Sequence, residues 1–233
     1  KYHMRINLVT CTDWNYRRWA TTLIRSLHDQ YQHRFVIAVG EGDWEAWGAQ
    51  LGVTIVPQPF NHAMDPVRWC QNVRMRHLRA LLEDCDYLLQ VDSDVRQNRF
   101  TNFDRFQNAN IFAVTKKYKT KNKELKVVDD RFRINAGWVL YKNTVYNRDR
   151  LQKIQQEFDH EYQDENGWDQ IKLWEHYGTN VGDVNATDGK YIDDGSWGSF
   201  KSDSTWFHCK GPGRKETTDI ESWHNLNMTP QLT

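Results

Sequence analysis

Proline and cysteine are both scarce in this chain, with 5 and 4 among 233 residues. Cys11, Cys70, Cys85 and Cys209 lie far apart and form no C-x-x-C pair, which excludes a disulfide scaffold or a structural zinc site as the organising feature. No charge of one sign dominates, since Lys+Arg and Asp+Glu number 31 each. Proteins that bind nucleic acid through its phosphates carry a basic excess, so that class of partner drops out. No apolar run approaches the roughly 20 residues of a membrane span. The opening "KYHMRINLVT" lacks a signal-peptide core and reads as the start of a strand. Free thiols without a leader point to a reducing, cytoplasmic setting, or to peripheral attachment at the cytoplasmic membrane face.

Aromatic and apolar side chains are plentiful. Hydrophobic residues make up 39% of the chain and charged ones 27%, enough to bury a core and exclude a disordered chain. Ile6, Leu8 and Thr10 alternate in "MRINLVTCT", a first strand, and Thr12 or Asp13 can cap a helix whose apolar face carries Trp19, Leu23 and Leu27. "RFVIAVG" reads as a second strand, "GDWEAWGAQLG" as a short helix and "VTIVPQP" as a third strand. Asp65-Pro66 is a cap and first-turn pair that opens a long helix through Val73, His77, Leu78 and Leu81. "YLLQV" follows as a fourth strand. Strands alternating with helices predict an α/β fold with a mostly parallel central sheet. Further on, "ANIFAVTKK" and "INAGWVLYKN" read as strands separated by the polar run "KYKTKNKELKVVDDRF", a mobile loop or an edge hairpin. Helices near 148–163 and 168–177 follow, and the Gly-, Ser-, Asp- and Trp-rich remainder reads as loops over a site. No repeat or low-complexity linker divides the chain, so 1–233 counts as a single domain.

The fourth strand ends in Asp92-Ser93-Asp94. Open α/β sheets bind ligands at the carboxyl ends of their strands, and residues two apart in an extended segment face the same side. Two converging carboxylates repel, and one takes up a proton unless a cation neutralises both. Oxygen donors of this kind suit Mg²⁺ or Mn²⁺, with positions left open for a diphosphate. "TWFHCKGPGRK" places His208 before a Gly211-Pro212-Gly213 turn and two cations, Arg214 and Lys215. An imidazole favours Mn²⁺ over Mg²⁺, so Asp92, Asp94 and His208 form the candidate metal set, and the glycine turn can approach phosphate oxygens.

Taken in order, these motifs resemble the GT-A glycosyltransferases, nearest the retaining group that contains glycogenin and the bacterial lipopolysaccharide galactosyltransferases. "VTCTDWNY" is similar to the first-strand loop of that family, which lies against uracil and ribose, and so marks Thr10, Thr12 and Tyr16. "NVRMRHLRALLEDCDYLLQVDSDV" resembles the segment in which a basic helix residue precedes the DxD; the spacing favours Arg76, with Arg74 close behind. "INAGWVLYKN" resembles the Asn-Ala-Gly-Val strand, whose Asn135 and Gly137 would meet sugar hydroxyls. "GWDQIKLW" resembles the Asp-Gln element beside the reacting sugar, and "HCKGPGRK" the His-x-x-Gly-x-x-Lys motif. Two departures stand out: Arg214 occupies the lysine position of that motif, and Ile171 stands where a second acid commonly follows Asp-Gln.

The resemblance implies a Rossmann-like single domain, with a nucleotide-binding half over about 1–115 and a sugar and acceptor half over about 116–233. It implies Mn²⁺ or Mg²⁺ dependent transfer of a hexose, from UDP-glucose or UDP-galactose, to a glycan or other acceptor with retention. Asp169 and Gln170 would act on the sugar. Arg76, Ser93, Gly211, Arg214 and Lys215 would join the donor contacts. A carboxylate on a helix start can equally be only its cap, so Asp169 keeps both readings. A sugar-1-phosphate nucleotidyltransferase would show a glycine-rich basic loop after the first strand, and "TCTDWNY" has no glycine. A non-catalytic sugar-binding module would be favoured by loss of the DxD or His208, and both are present.

Overall fold

The computed structural model describes residues 4–121, 127–162, 167–185, 192–194 and 204–209. The alternating apolar segments form strands β1 (Ile6–Asp13), β2 (His33–Val39), β3 (Thr54–Gln58) and β4 (Tyr87–Val91). Between them lie helices α1 (Arg17–Ser26), α2 (Trp44–Leu51), α3 (Pro66–Asn72) and α4 (Leu78–Leu81). After β4 come β5 (Val95–Gln97), β6 (Ile111–Lys121), β7 (Val127–Lys142), α5 (Val145–Glu161), α6 (Trp168–Tyr177), β8 (Val181–Asp183), β9 (Ile192–Asp194) and β10 (Trp206–His208). Seven strands form one sheet in the order β3-β2-β1-β4-β7-β6-β8, and β5-β10-β9 form a small second sheet. The four strands from β3 to β4 run parallel, whereas β7 is antiparallel to both of its neighbours. The α/β architecture with a mostly parallel sheet is as the sequence pattern predicts.

Period-2 alternation loads both faces of this sheet. Val9 and Leu88 point to the side covered by α3 to α6, where Ile154, Phe158 and Leu173 pack. Leu8 and Leu89 point to the other side, toward Leu23 of α1 and the aromatic group Phe106, Trp138 and Trp206. Burial on both faces explains why β4 is apolar along its length apart from Gln90. Gln90 is fully buried, yet its Nε2 donates to the Ala136 carbonyl at 2.8 Å and its Oε1 accepts from Tyr141 at 3.1 Å.

Two expectations change, and one open alternative resolves. The helix expected after Asp13 begins only at Arg17; Asp13 belongs to β1, and its Oδ1 accepts from the Tyr16 N–H at 2.7 Å, capping the intervening turn. Asp65 does cap α3, accepting from the Arg68 N–H at 3.0 Å with Pro66 in the first turn, but the long helix stops at Asn72. Val73–Arg76 tightens into a 3-10 turn before α4. Val73, Arg74 and Met75, consecutive in this turn, are all buried. The polar run of the middle segment pairs as an edge hairpin, with β6 and β7 paired from Ile111↔Tyr141 out to Lys121↔Val127 and register shifts at Ala113/Val114 and Thr120/Lys121.

Leu89→Ala would remove a fully buried side chain from the strand that ends in the two aspartates. We expect it to cost roughly 2–5 kcal/mol of unfolding free energy. Urea denaturation should show a lower midpoint with an unchanged slope.

Candidate functional site

The carboxyl ends of β1 and β4 lie side by side, and a cleft of about 220 Å³ opens above them. Thr12, Asp13 and Tyr16 wall it on the β1 side, Cys70, Gln71 and Arg74 on the helical side, and Asp92, Ser93 and Asp94 form its floor. Thr12, Tyr16 and Ser93 are therefore where the sequence places them. Thr10 is not: it is buried within β1, opposite Val36 of β2, and forms no part of the wall. Asp13, Cys70 and Gln71 were missed. Asp13 stands in "VTCTDWNY" but reads there as a helix cap, and Cys70 and Gln71 share a helix face with Arg74, a signal that shows only once Arg74 is known to face the cleft. Burial pushes the Cys70 thiol up to about 12, with the nearby Asp13 charge adding to the effect, so it stays protonated near neutrality.

Asp92, Asp94 and His208 do converge. His208 Nε2 lies 3.4 Å from Asp92 Oδ2 and 3.1 Å from Asp94 Oδ1. The three donor atoms fall within 4.8 Å of one another. Adjacent ligands held about 2.1 Å from an octahedral cation sit about 3 Å apart, so this donor set fits a hard divalent ion with some imidazole tolerance. Three features of the fold make the cluster. The β4 ladder ends at Val91, and the turn closes with the Val95 N–H donating to the Asp92 carbonyl at 3.0 Å. β5 pairs antiparallel with β10, which sets His208 opposite Val95, and the Cys209 N–H donates to the Asp94 carbonyl at 3.0 Å. The third is a bulge in β7.

That bulge involves the Asn-Ala-Gly segment. Ala113 pairs with Val139 but Val114 with Asn135, so residues 136–138 leave the β6 ladder. Their backbone groups find other partners: the Gly137 carbonyl accepts from Asp92 N–H at 2.9 Å, and Gly137 N–H donates to Asn135 Oδ1 at 2.8 Å. A Cβ on Gly137 would stand 2.4 Å from His208 Cε1 and 2.8 Å from Asp92 Oδ2. Glycine is required here because the imidazole rests on the bare backbone. Asn135 supports the same bulge.

Of the two candidate arginines, Arg74 enters the cleft. Its Nη1 bonds Asp92 Oδ1 and its Nη2 donates to Asp169 Oδ2 at 2.7 Å, with the side chain 6% exposed. Arg76, which the spacing favours, turns the other way; its Nε pairs with Asp159 of α5 at 2.9 Å, and 44% of the side chain is exposed. Arg74 continues the face of α3 that meets the cleft, since Val67, Cys70, Gln71 and Arg74 follow one another at helical spacing and all line it, whereas Arg76 falls off that face. Asp169 also departs from expectation. It is buried beneath Arg74 and outside the cleft wall, with its Oδ1 accepting from Gln170 N–H at 2.8 Å and its own N–H donating to Asn72 Oδ1 at 3.0 Å. Gln170 is half-buried beside it. Gly211, Arg214 and Lys215 lie outside the described residues.

The electrostatics follow from this packing. Burial works to raise the Asp92 carboxyl, but Arg74 and then His208 outweigh it and hold it well below the ordinary carboxylate range. For Asp169, burial prevails over Arg74 and the carboxyl is raised. Burial would lower the Arg74 guanidinium, yet Asp92 and Asp169 outweigh burial and push it further up. Arg74 is therefore a permanent cation clamped by two carboxylates.

Arg74→Met would leave Asp169 buried without its counter-charge. We expect a loss of roughly 3–5 kcal/mol at neutral pH, with part of it recovered in acid as Asp169 takes up a proton. Arg76→Met, which breaks an exposed pair, should change stability by no more than about 1 kcal/mol. Denaturant unfolding of both variants at pH 7 and pH 5 checks the contrast.

Compared by sequence, the chain matches no family model and no curated protein. Compared by fold, it is similar to solved glycosyltransferases. The glycosyltransferase GlyE of Streptococcus pneumoniae TIGR4 superposes with a TM-score of 0.61 at 13% identity, over 97% of this chain and 60% of the GlyE chain. This chain thus spans about 60% of the length of GlyE. The galactosyltransferase LgtC, solved with donor and acceptor sugar analogues, gives a TM-score of 0.58 at 17% identity over 93% of this chain and 91% of its own. A glycosyltransferase involved in glycosylation of the major capsid of PBCV-1 gives 0.57 at 10% identity, over 95% and 99%. The chain therefore has the GT-A glycosyltransferase fold, with an Asp-Asp-His group at the carboxyl end of its fourth strand.

Proposed function

We propose that this protein is a metal-dependent glycosyltransferase that moves a hexose from a UDP-sugar to a carbohydrate acceptor. The observation that carries the reading is the convergence of Asp92, Asp94 and His208 at one point of a cleft in this fold. Asp92, Asp94 and Asp169 outnumber the two buried arginines beside them, Arg74 and Arg96, and leave excess negative charge at the cleft floor when His208 is neutral. A divalent cation would offset that charge and keep positions open for a diphosphate.

In this reading Tyr16, Thr12 and Asp13 receive the nucleoside, since they form the wall away from the carboxylates. Asp92, Asp94 and His208 would hold Mn²⁺ or Mg²⁺, which would supply positive charge to stabilise a diphosphate leaving group. Arg74 holds a fixed positive charge beside the same point and needs no reorganisation as charge develops there. Asp169 works through Arg74, so it is a positioning residue, which replaces its expected role on the sugar. Gln170, adjacent but half-buried, is the amide assigned to the sugar face. Retention follows the sequence resemblance. The donor hexose is assigned as galactose or glucose, the former because LgtC is a galactosyltransferase. Gly211, Arg214 and Lys215 are assigned to the phosphates on their motif.

Calorimetry of UDP binding with Mn²⁺ and after chelation tests the core of this reading. Affinity should fall by at least an order of magnitude without metal, and Asp94→Ala should abolish the metal effect while the circular dichroism spectrum stays folded. UDP affinity indifferent to chelation would refute the reading. Hydrolysis of a panel of UDP- and GDP-sugars then names the donor.

Gln170→Ala and Asp169→Asn should separate the two neighbours. The first should lower kcat by roughly 10²-fold with UDP affinity unchanged, as expected for a contact made in the transition state. The second should weaken UDP as well, because Arg74 loses its anchor. Equal effects of both on UDP binding would contradict this division of roles.

A further inference from the structure

A second buried arginine adjoins the Asp92–Asp94 turn, and the reaction just described gives it no task. Arg96 lies in β5 opposite Phe207 and is 1% exposed. Burying a guanidinium is costly, and an apolar residue beside Val95 and Phe207 would avoid that cost. Its bonds turn back on its own chain: Nη1 donates to the Ser93 carbonyl at 2.9 Å and to the Val95 carbonyl at 2.6 Å.

Those two acceptors complete the turn. Asp92 N–H donates to Gly137, the Asp92 carbonyl accepts from Val95, and the Asp94 carbonyl accepts from Cys209. Ser93 and Val95 carry the carbonyls that these bonds do not reach, and buried carbonyls require donors. The guanidinium also lies 5.5 Å from the Trp19 ring centroid, and Trp19 stacks at 5.9 Å on Tyr16, a wall of the cleft. One side chain thus touches the backbone of the metal-ligand turn and the aromatic pair that supports the nucleotide side.

We propose that Arg96 is a positioning residue for the metal site: it fixes the Asp92–Val95 backbone so that both carboxylates face His208, and it joins that turn to the Tyr16–Trp19 wall. The inference rests on the metal-dependent reading above. A planar guanidinium can span two carbonyls while lying against a ring face, which an ammonium cannot do in the same way.

The test is titration of Mn²⁺ alone into the full chain, by calorimetry, for wild type, Arg96→Met and Arg96→Lys, with circular dichroism and thermal unfolding in parallel. Arg96→Met should weaken Mn²⁺ binding by roughly 10–100-fold in protein that remains folded, and Arg96→Lys should recover part of the loss. Lower unfolding midpoints with wild-type Mn²⁺ affinity would make Arg96 merely structural and overturn the proposal. If Arg96→Met does not fold, Arg96→Lys decides: unchanged affinity overturns the proposal, and a severalfold loss supports it. A wild-type chain that takes up no Mn²⁺ removes the metal reading and this inference together. Unchanged variants beside a wild type that binds remove this inference alone.

Discussion

Three carboxylates held close together are the constraint on which the rest of this site depends. Asp92, Asp94 and Asp169 sit within or beneath one cleft floor, where like charges repel and burial penalises each ionised form. Arg74 resolves the conflict by bonding Asp92 with one terminal nitrogen and Asp169 with the other. A guanidinium fork presents its two terminal nitrogens to two separate carboxylates from one buried stem and stays charged while buried. The arrangement has structural consequences. Arg74 lies in the 3-10 turn Val73–Arg76, and Asn72 just before it secures the start of α6 through the Asp169 N–H. The helix after β3, the end of β4 and the start of α6 are thereby joined by a few polar contacts.

The cleft is built from two kinds of pairing with different jobs. Parallel strands β1 and β4 bring the Thr12–Tyr16 loop beside the aspartates, as expected of an open α/β sheet. Antiparallel partners then complete the Asp-Asp-His group: β7 contributes the bulge that clears space at Gly137, and β10 brings His208 against Asp94. A side chain added at Gly137 would displace the imidazole, so the glycine of the Asn-Ala-Gly segment acts by what it lacks. Asn135, expected to meet a sugar, supports that bulge from within the protein.

Much of this was legible before the structure. The apolar "YLLQV" running into two acids reads as a strand that ends at a candidate cation site, because converging carboxylates repel unless a cation or a proton intervenes. Asp65-Pro66 reads as a helix start, and α6 spans Trp168–Tyr177 as its pattern predicts. Three features were not legible. Arg74 and Arg76 differ by two positions, and which of them is inward depends on which face of α3 meets the cleft and which meets α5, which local propensity does not encode. Asp13 has the same appearance whether it caps a helix or walls a cleft. The buried state of Asp169 depends on Arg74, 95 residues away.

The sequence by itself determined the element types, the alternation that makes the sheet parallel, and the chemical kinds of group present: paired acids, one histidine and the arginines. Those follow from periodicity and residue chemistry, which are local. Tertiary structure decided which arginine faces inward, that Asp169 anchors Arg74 rather than lining the cleft, and that Arg96 turns back onto the ligand turn. Each of these is settled by long-range packing and charge compensation. A buried charge takes its role from the groups that neutralise it, and here those groups come from distant parts of the chain.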